Sequence, residues 1–382
     1  MKYVDEFRDG DVARVIAANV AREADARRTY RLMEFCGGHT HAISRYGLKA
    51  MLPPNVVMVH GPGCPVCVLP VGRIENAIEL ARRPGTILCT YADTMRVPAS
   101  GGLSLMKAKA RGADVRMVYS CADAIRLAGE HRGREVVFFA IGFETTTPPT
   151  ALAIRQAQAL GLRNFTVFCN HVLTPAAITH ILESPEVREF GTVPIDGFIG
   201  PAHVSTVIGS RPYEYFAQEY RRPVVIAGFE PLDVMQAILM LVRQLNAGRA
   251  EVENEFTRAV TRDGNPKAKA LVADVFEPRT TFEWRGLGEV PYSALRIRPA
   301  YEAFDAEARF GVVYRPVPDH KACECGAILR GVMKPADCKV FGTVCTPDNP
   351  IGACMVSSEG ACAAHYAYGR FTPAPVVREA TP

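Results

Sequence analysis

The sequence predicts an α/β fold in which two similar parallel-sheet units face a cleft and a loop-rich iron–sulfur region follows. Three observations lead there. From about residue 55 to residue 245, short apolar runs alternate with amphipathic segments, as βαβ units do. Two strand ends echo each other, Phe139-Ala140-Ile141-Gly142-Phe143-Glu144 and Val225-Ile226-Ala227-Gly228-Phe229-Glu230, and a proline-bearing helix start follows each. After residue 250 the alternation stops, and six of the twelve cysteines gather in Gly/Pro-rich sequence.

In chain order, residues 1–54 read as an N-terminal helical segment ending in a loop at Cys36–His41. Strands are expected at 55–60, 86–91, 115–120, 136–141, 166–170, 197–199 and 224–227. Each is short, mostly rich in Val, Ile, Phe or Thr, and bounded by turn residues, as buried parallel strands are. Ile74, Ala77, Ile78 and Ala81 share one helical face, as do Ala122, Ile125 and Ala128, and helices are also expected at 150–160, 174–182 and 232–246. The domain boundaries implied are 55–132 and 133–250 for the two α/β units and 251–382 for the C-terminal iron–sulfur domain. Within the last, 263–266 and 277–279 read as turns, 299–382 as loops ordered by whatever the cysteines bind, and the final dozen residues as a frayed tail.

Composition narrows the function. A chain of 382 residues has room for two or three domains of ~100–200 residues each. A net charge of +4 gives no reason to expect a nucleic-acid or anionic membrane partner. The N-terminus lacks the apolar run of a secretory signal, and no apolar stretch approaches the ~20 residues that span a bilayer, so a cytoplasmic location is expected. In a reducing compartment, cysteines serve as metal ligands or redox thiols more readily than as a disulfide framework.

Nine of the cysteines sit in loops built for such chemistry, whereas Cys89, Cys121 and Cys169 lie among aliphatic residues and read as structural. Cys64-Pro65-Val66-Cys67 follows a strand and precedes a helix starting near Val71, where α/β folds place their sites. The helix N-terminus would favour thiolate there, which suits a redox or metal-binding pair. Cys36-Gly37-Gly38-His39-Thr40-His41 adds a thiol and two imidazoles, and His39 and His41 could ligate, support a ligand, or simply bond to backbone carbonyls. Cys36, Cys64 and Cys67 together could bind zinc or iron. In the tail, Cys325, Cys338, Cys345 and Cys362 lack paired Cys-x-x-Cys knuckles and suit a cubane iron–sulfur cluster better than zinc, with Cys323 and Cys354 to spare. Glu144 and Thr145–Thr147 open a helix and can cap it, and could also hydrogen-bond a ligand held by the cysteine loops. No phosphate-binding glycine motif occurs, so a nucleotide is not supported.

Taken together, Cys36–His41, Gly61–Cys67, Gly142–Pro148 and Gly352–Cys362 resemble the HypD family of [NiFe] hydrogenase maturation proteins, over about residues 30–368. The resemblance implies a scaffold with redox activity rather than a turnover enzyme. Such a protein pairs with the small chaperone HypC and holds iron while cyanide and carbon monoxide are installed to give the Fe(CN)2CO group. The cyanide comes from a thiocyanate on the C-terminal cysteine of HypE. By this resemblance Cys36 would be the principal iron thiolate, Cys64 and Cys67 a redox-active dithiol, and Cys325 (or Cys323), Cys338, Cys345 and Cys362 the ligands of a [4Fe–4S] cluster. His39, His41, Glu144 and Thr145–Thr147 would line the iron site. The competing readings are a stand-alone iron–sulfur thiol–disulfide reductase and a zinc-stabilised assembly platform.

Overall fold

The computed structural model describes residues 5–183 and 195–369. Two parallel sheets organise it. The first orders its strands β2-β1-β7-β8-β9, from β1 (Tyr30–Glu34), β2 (Val56–His60), β7 (Gly197–Gly200), β8 (Val224–Ile226) and β9 (Val252–Asn254). The second orders them β4-β3-β5-β6, from β3 (Thr86–Thr90), β4 (Val115–Met117), β5 (Glu135–Gly142) and β6 (Phe165–His171). Every pairing in both is parallel. All seven expected strands are present, and the expected helices appear as Val71–Arg82, Cys121–Glu130, Thr147–Ala159, Thr174–Glu183 and Pro231–Asn246.

The structure corrects the boundaries. β1 lies inside the first sheet, between β2 and β7, although two of the five residues of its sequence, Tyr-Arg-Leu-Met-Glu, are charged and none is β-branched. After β2 the chain leaves to build the whole second sheet and returns on the other side of β1, so the two units interleave rather than dividing near residue 132. The Cys36–His41 motif is not a loop: Cys36 is the N-cap of helix Gly37–Arg45. Glu277 belongs to the strand Phe276–Pro278, which pairs antiparallel with Leu295–Ile297, and a helix spans Pro266–Val275. The final dozen residues lie outside the described residues.

Nor is the C-terminal region separate. Ile328, Leu329, Met355 and Val356 join Met33, Val59, Ile74, Phe139 and Phe198 in one core that runs through both sheets. With few apolar residues of its own, the segment buries them against the sheets. Arg285 helps fasten it: its guanidinium donates to Leu69 O at 2.9 and 3.2 Å, and its amide donates to Val68 O at 2.7 Å. Among the described residues no helix is long and apolar enough to cross a membrane.

Candidate functional site

In open parallel sheets, ligands bind beyond the carboxyl ends of strands, where the strand order reverses. The first sheet reverses between β1 and β7, and the second between β3 and β5. Both reversals open onto one cavity of about 360 Å³. Cys36 follows β1, Pro65 and Val66 follow β2, Tyr91 and Asp93 follow β3, Thr145 and Thr146 follow β5, and His203 follows β7. Ser357, Ser358 and Glu359 close it from the tail.

Glycines permit this convergence. A β-carbon on Gly63 would stand 2.5 Å from the Cys36 amide nitrogen, so only glycine lets the Cys64 loop lie against Cys36. The Gly37 amide donates to Gly63 O at 3.0 Å, which holds the contact. A β-carbon on Gly37 would meet the Glu359 side chain at 2.4 Å, so the same motif admits the tail.

Cys36 is buried, and burial first, then the nearby Glu359, pushes its thiol far up; the amides of Gly38 and His203 oppose this. Beneath it, Glu34 is fully enclosed. The Thr40 hydroxyl donates to it, His60 Nδ1 lies 2.6 Å away, and the Cys36 amide donates at 3.3 Å. Burial outweighs the Thr40 bond and lifts Glu34 to about 7, while burial drives His60 well below its ordinary value.

Cys64 and Cys67 are paired as a disulfide with Cα atoms 5.2 Å apart. Cys64 caps the single helical turn Pro65–Val68 by accepting from the Cys67 amide at 3.3 Å. Both are enclosed, at 3% and 0% exposure, so the pair faces protein rather than solvent. Across from it, Cys67 Sγ lies 4.0 Å from Ala353 O, beside Cys354. Of the three thiols expected to hold an ion, only Cys36 is free while Cys64 and Cys67 are paired. Among the described residues no three Cys, His, Asp or Glu side chains are placed to hold a metal ion.

The remaining candidates divide. Thr145 and Thr146 line the cavity. The Thr147 hydroxyl donates to Phe143 O at 3.1 Å, and no side chain of the Thr145–Thr147 run caps the helix as expected. Glu144 lies behind the wall, where the Thr174 amide and hydroxyl donate to its two oxygens at 2.8 and 3.0 Å; burial lifts it to about 7. His39 is spent on structure: its Nε2 reaches Ala227 O and Gly228 O at 3.1 and 3.0 Å, and its ring packs on Phe229. His41 Nδ1 lies 3.4 Å from Ser358 O, and its ring meets Tyr368 edge-on. Neither histidine lines the cavity as expected, because helical rather than loop backbone turns both aside. Tyr91, Asp93, His203 and Glu359 do line it and escaped the sequence reading. Each of the first three follows a recognised strand, so the rule that sites lie at strand ends could have found them.

In the tail, Cys323, Cys325, Cys338, Cys345, Cys354 and Cys362 all line one tight cavity, together with Ile328, Val340, Phe341 and Met355. Burial, then the thiols of Cys325, Cys323, Cys345 and Cys338, pushes Cys362 up, and burial with Cys323 and Cys338 does the same to Cys345. Cys323 and Cys354, with burial, act on the Cys325 thiol, whose proton is held far more tightly than usual. An all-sulfur donor set spread round one space fits a polynuclear iron–sulfur group better than a single ion.

A family model described as "HypD: Hydrogenase formation hypA family" matches residues 11–369. The chain is 72% identical over 377 residues to the hydrogenase maturation factor HypD of Cupriavidus necator, covering 99% of this chain and 100% of that one. It is 70% identical to the HypD of Rhizobium leguminosarum over 97% of this chain and 96% of that one. It is 47% identical to the HypD of Escherichia coli K12 over 96% of this chain and 98% of that one. With Cys36 at a cavity beyond the strand ends, these matches show that the chain belongs to the HypD family and acts in maturation of the [NiFe] hydrogenase metallocentre.

Proposed function

We propose that this chain is the scaffold on which the Fe(CN)2CO group is assembled, in the cytoplasm and together with HypC, with cyanide received from the thiocyanate of HypE. The observation that carries the proposal is the close approach of the Cys64–Cys67 loop to Cys36 beside one cavity, made through Gly63. In this reading iron is the cargo and Cys36 its thiolate, and Thr145 and His203 can donate hydrogen bonds to cyanide nitrogens.

Cyanide release from a thiocyanate is a two-electron reduction. The partner's S–CN bond breaks while the Cys64 and Cys67 thiols lose two electrons and two protons and form their S–S bond. One proton goes to the released partner thiol, and the other is given up as cyanide binds iron as an anion. The disulfide in the structure corresponds to the product side of that step. Because both sulfurs are enclosed, external disulfide substrates have poor access, which disfavours a stand-alone reductase.

We assign the tail to a [4Fe–4S] cluster. Cys338, Cys345 and Cys362 would hold it with Cys325, or with Cys323 in its place, since all of them line the same cavity. When bound, such a cluster supplies single electrons. The residues after 251 act as the iron–sulfur region within the shared core.

The test is infrared spectroscopy of the protein copurified anaerobically with HypC. Cyanide and carbonyl bands are expected in the native protein. The Cys36→Ala variant should fold, keep its tail iron, lose the bands and fail to mature hydrogenase. Normal maturation by that variant would end the proposal.

A further inference from the structure

A second cavity, of about 260 Å³, lies at the other end of the second sheet from Cys36. Its wall is built where three parallel strands begin. Arg82 and Arg83 precede β3, Arg111 and Asp114 precede β4, and Arg134 precedes β5. Four arginines therefore line one space against a single carboxylate, Asp114.

That carboxylate is already shared. Arg134 Nη1 donates to it at 2.8 Å, and Arg116, which is not part of the wall, donates through Nε and Nη2 at 2.9 and 3.0 Å. Arg134 also donates to Thr86 O at 3.2 Å, and Arg83 donates to Phe310 O at 2.8 Å and lies 3.5 Å from Glu79. Arg82 and Arg111 are exposed, and the side chain of neither has an ion-pair or hydrogen-bond partner among the described residues. Basic residues suit helix C-termini, and Arg82 ends the helix Val71–Arg82 while Arg111 caps Leu105–Ala110. Yet neither guanidinium donates to a helix carbonyl, and the helix dipole accounts neither for Arg134 nor for the gathering of all four at one cavity.

Like charges gathered in one place repel, and an anion between them relieves that cost. The planar fork of a guanidinium matches the paired oxygens of a phosphoryl group. The cavity is smaller than the ~300–1,000 Å³ that take drug-sized ligands, so it suits a phosphate or diphosphate rather than a whole nucleotide. We propose that this cavity binds a small phosphoryl anion, free phosphate or the phosphate of a small ester, with Arg82 and Arg111 as its principal ligands and Arg83 and Arg134 adding charge. The length of the sheet separates it from Cys36, so the site stands independently of the iron chemistry.

Titration calorimetry of the full chain with inorganic phosphate, at fixed ionic strength, should show one saturable site. Phosphate should also raise the melting temperature above that in sodium chloride of equal ionic strength, a readout that needs no variant. Arg82→Ala combined with Arg111→Ala should weaken binding by about tenfold or more. Arg14→Ala combined with Arg211→Ala removes the same charge from exposed positions elsewhere and should leave affinity within about twofold. Glycerol phosphate titrated in parallel separates the two sources: tighter binding than phosphate marks an ester, and equal or weaker binding marks the free ion. No saturable heat and no melting shift in the native protein would overturn the proposal. Equal weakening by the two double variants would do so as well, since only diffuse surface charge would then be at work.

Discussion

Glu144 is enclosed, and burial lifts it from 4.5 to about 7, so the folded state holds a proton that the unfolded chain has lost between those values. Its effect on stability is therefore fully favourable below about pH 4.5 and fades as pH rises through 7, a change of about 3 kcal/mol. Glu144→Gln keeps an acceptor for the Thr174 amide and removes the titration. Denaturant unfolding at pH 5 and pH 8 should show a smaller drop in the variant than in the native protein. Glu34 and Glu255, also lifted to about 7, remain in both, so the difference between the two proteins reports Glu144 alone; equal drops would refute the assignment. Gly63→Ala places a methyl against the Cys36 backbone, which cannot yield as a side chain would. We expect a loss of about 1–3 kcal/mol in unfolding free energy, against less than about 0.5 kcal/mol for Gly133→Ala, whose β-carbon would meet nothing within 4 Å. Equal costs for the two would remove the close approach from the account. At this scale the cysteines were legible because soft, reactive side chains in Gly/Pro sequence have few bland uses. Which of its open roles His39 takes was not legible, because its two carbonyl partners, Ala227 and Gly228, lie almost 190 positions away.

At the scale of elements, the turn Pro65–Val68 is a rigid holder for the dithiol rather than a flexible loop. Peptide-resolved thiol labelling should leave Cys64 and Cys67 unmodified in the native oxidised protein and reach them after reduction and unfolding. Labelling of both without reductant would mean that the pair is not a disulfide. The long periodic helices and Val-rich strands were recognised since their patterns are local and repeated. β1 was not, because tertiary contacts override its weak propensity: the Arg31 amide donates to Asp196 at 2.8 Å, and Glu34 finds donors in Thr40, His60 and Cys36. The missed strand is the one that delivers Cys36 to the cavity.

For the whole molecule, the shared core makes the thiol-lined tail part of the global fold. Cys345→Ala or Cys362→Ala should lose the proposed cluster iron and lower the melting temperature of the entire chain in one transition, because metal-binding free energy there doubles as folding energy. Separate melting of a tail and an unchanged α/β body, followed by calorimetry and limited proteolysis, would contradict a common core. Cys354→Ala should retain iron, given its place beside Cys325 and the dithiol. The sequence alone determined the α/β class, seven of the nine strands in the two parallel sheets, five of the longer helices and the family, since each depends on local pattern or on motifs read directly from residue order. Only the tertiary structure decided that the two sheets interleave, that Tyr91, His203 and Glu359 share the cavity with Cys36, and that His39 does not. Those facts depend on which strand ends meet, and that is set by burial of side chains far apart in the chain, about which no local pattern carries information.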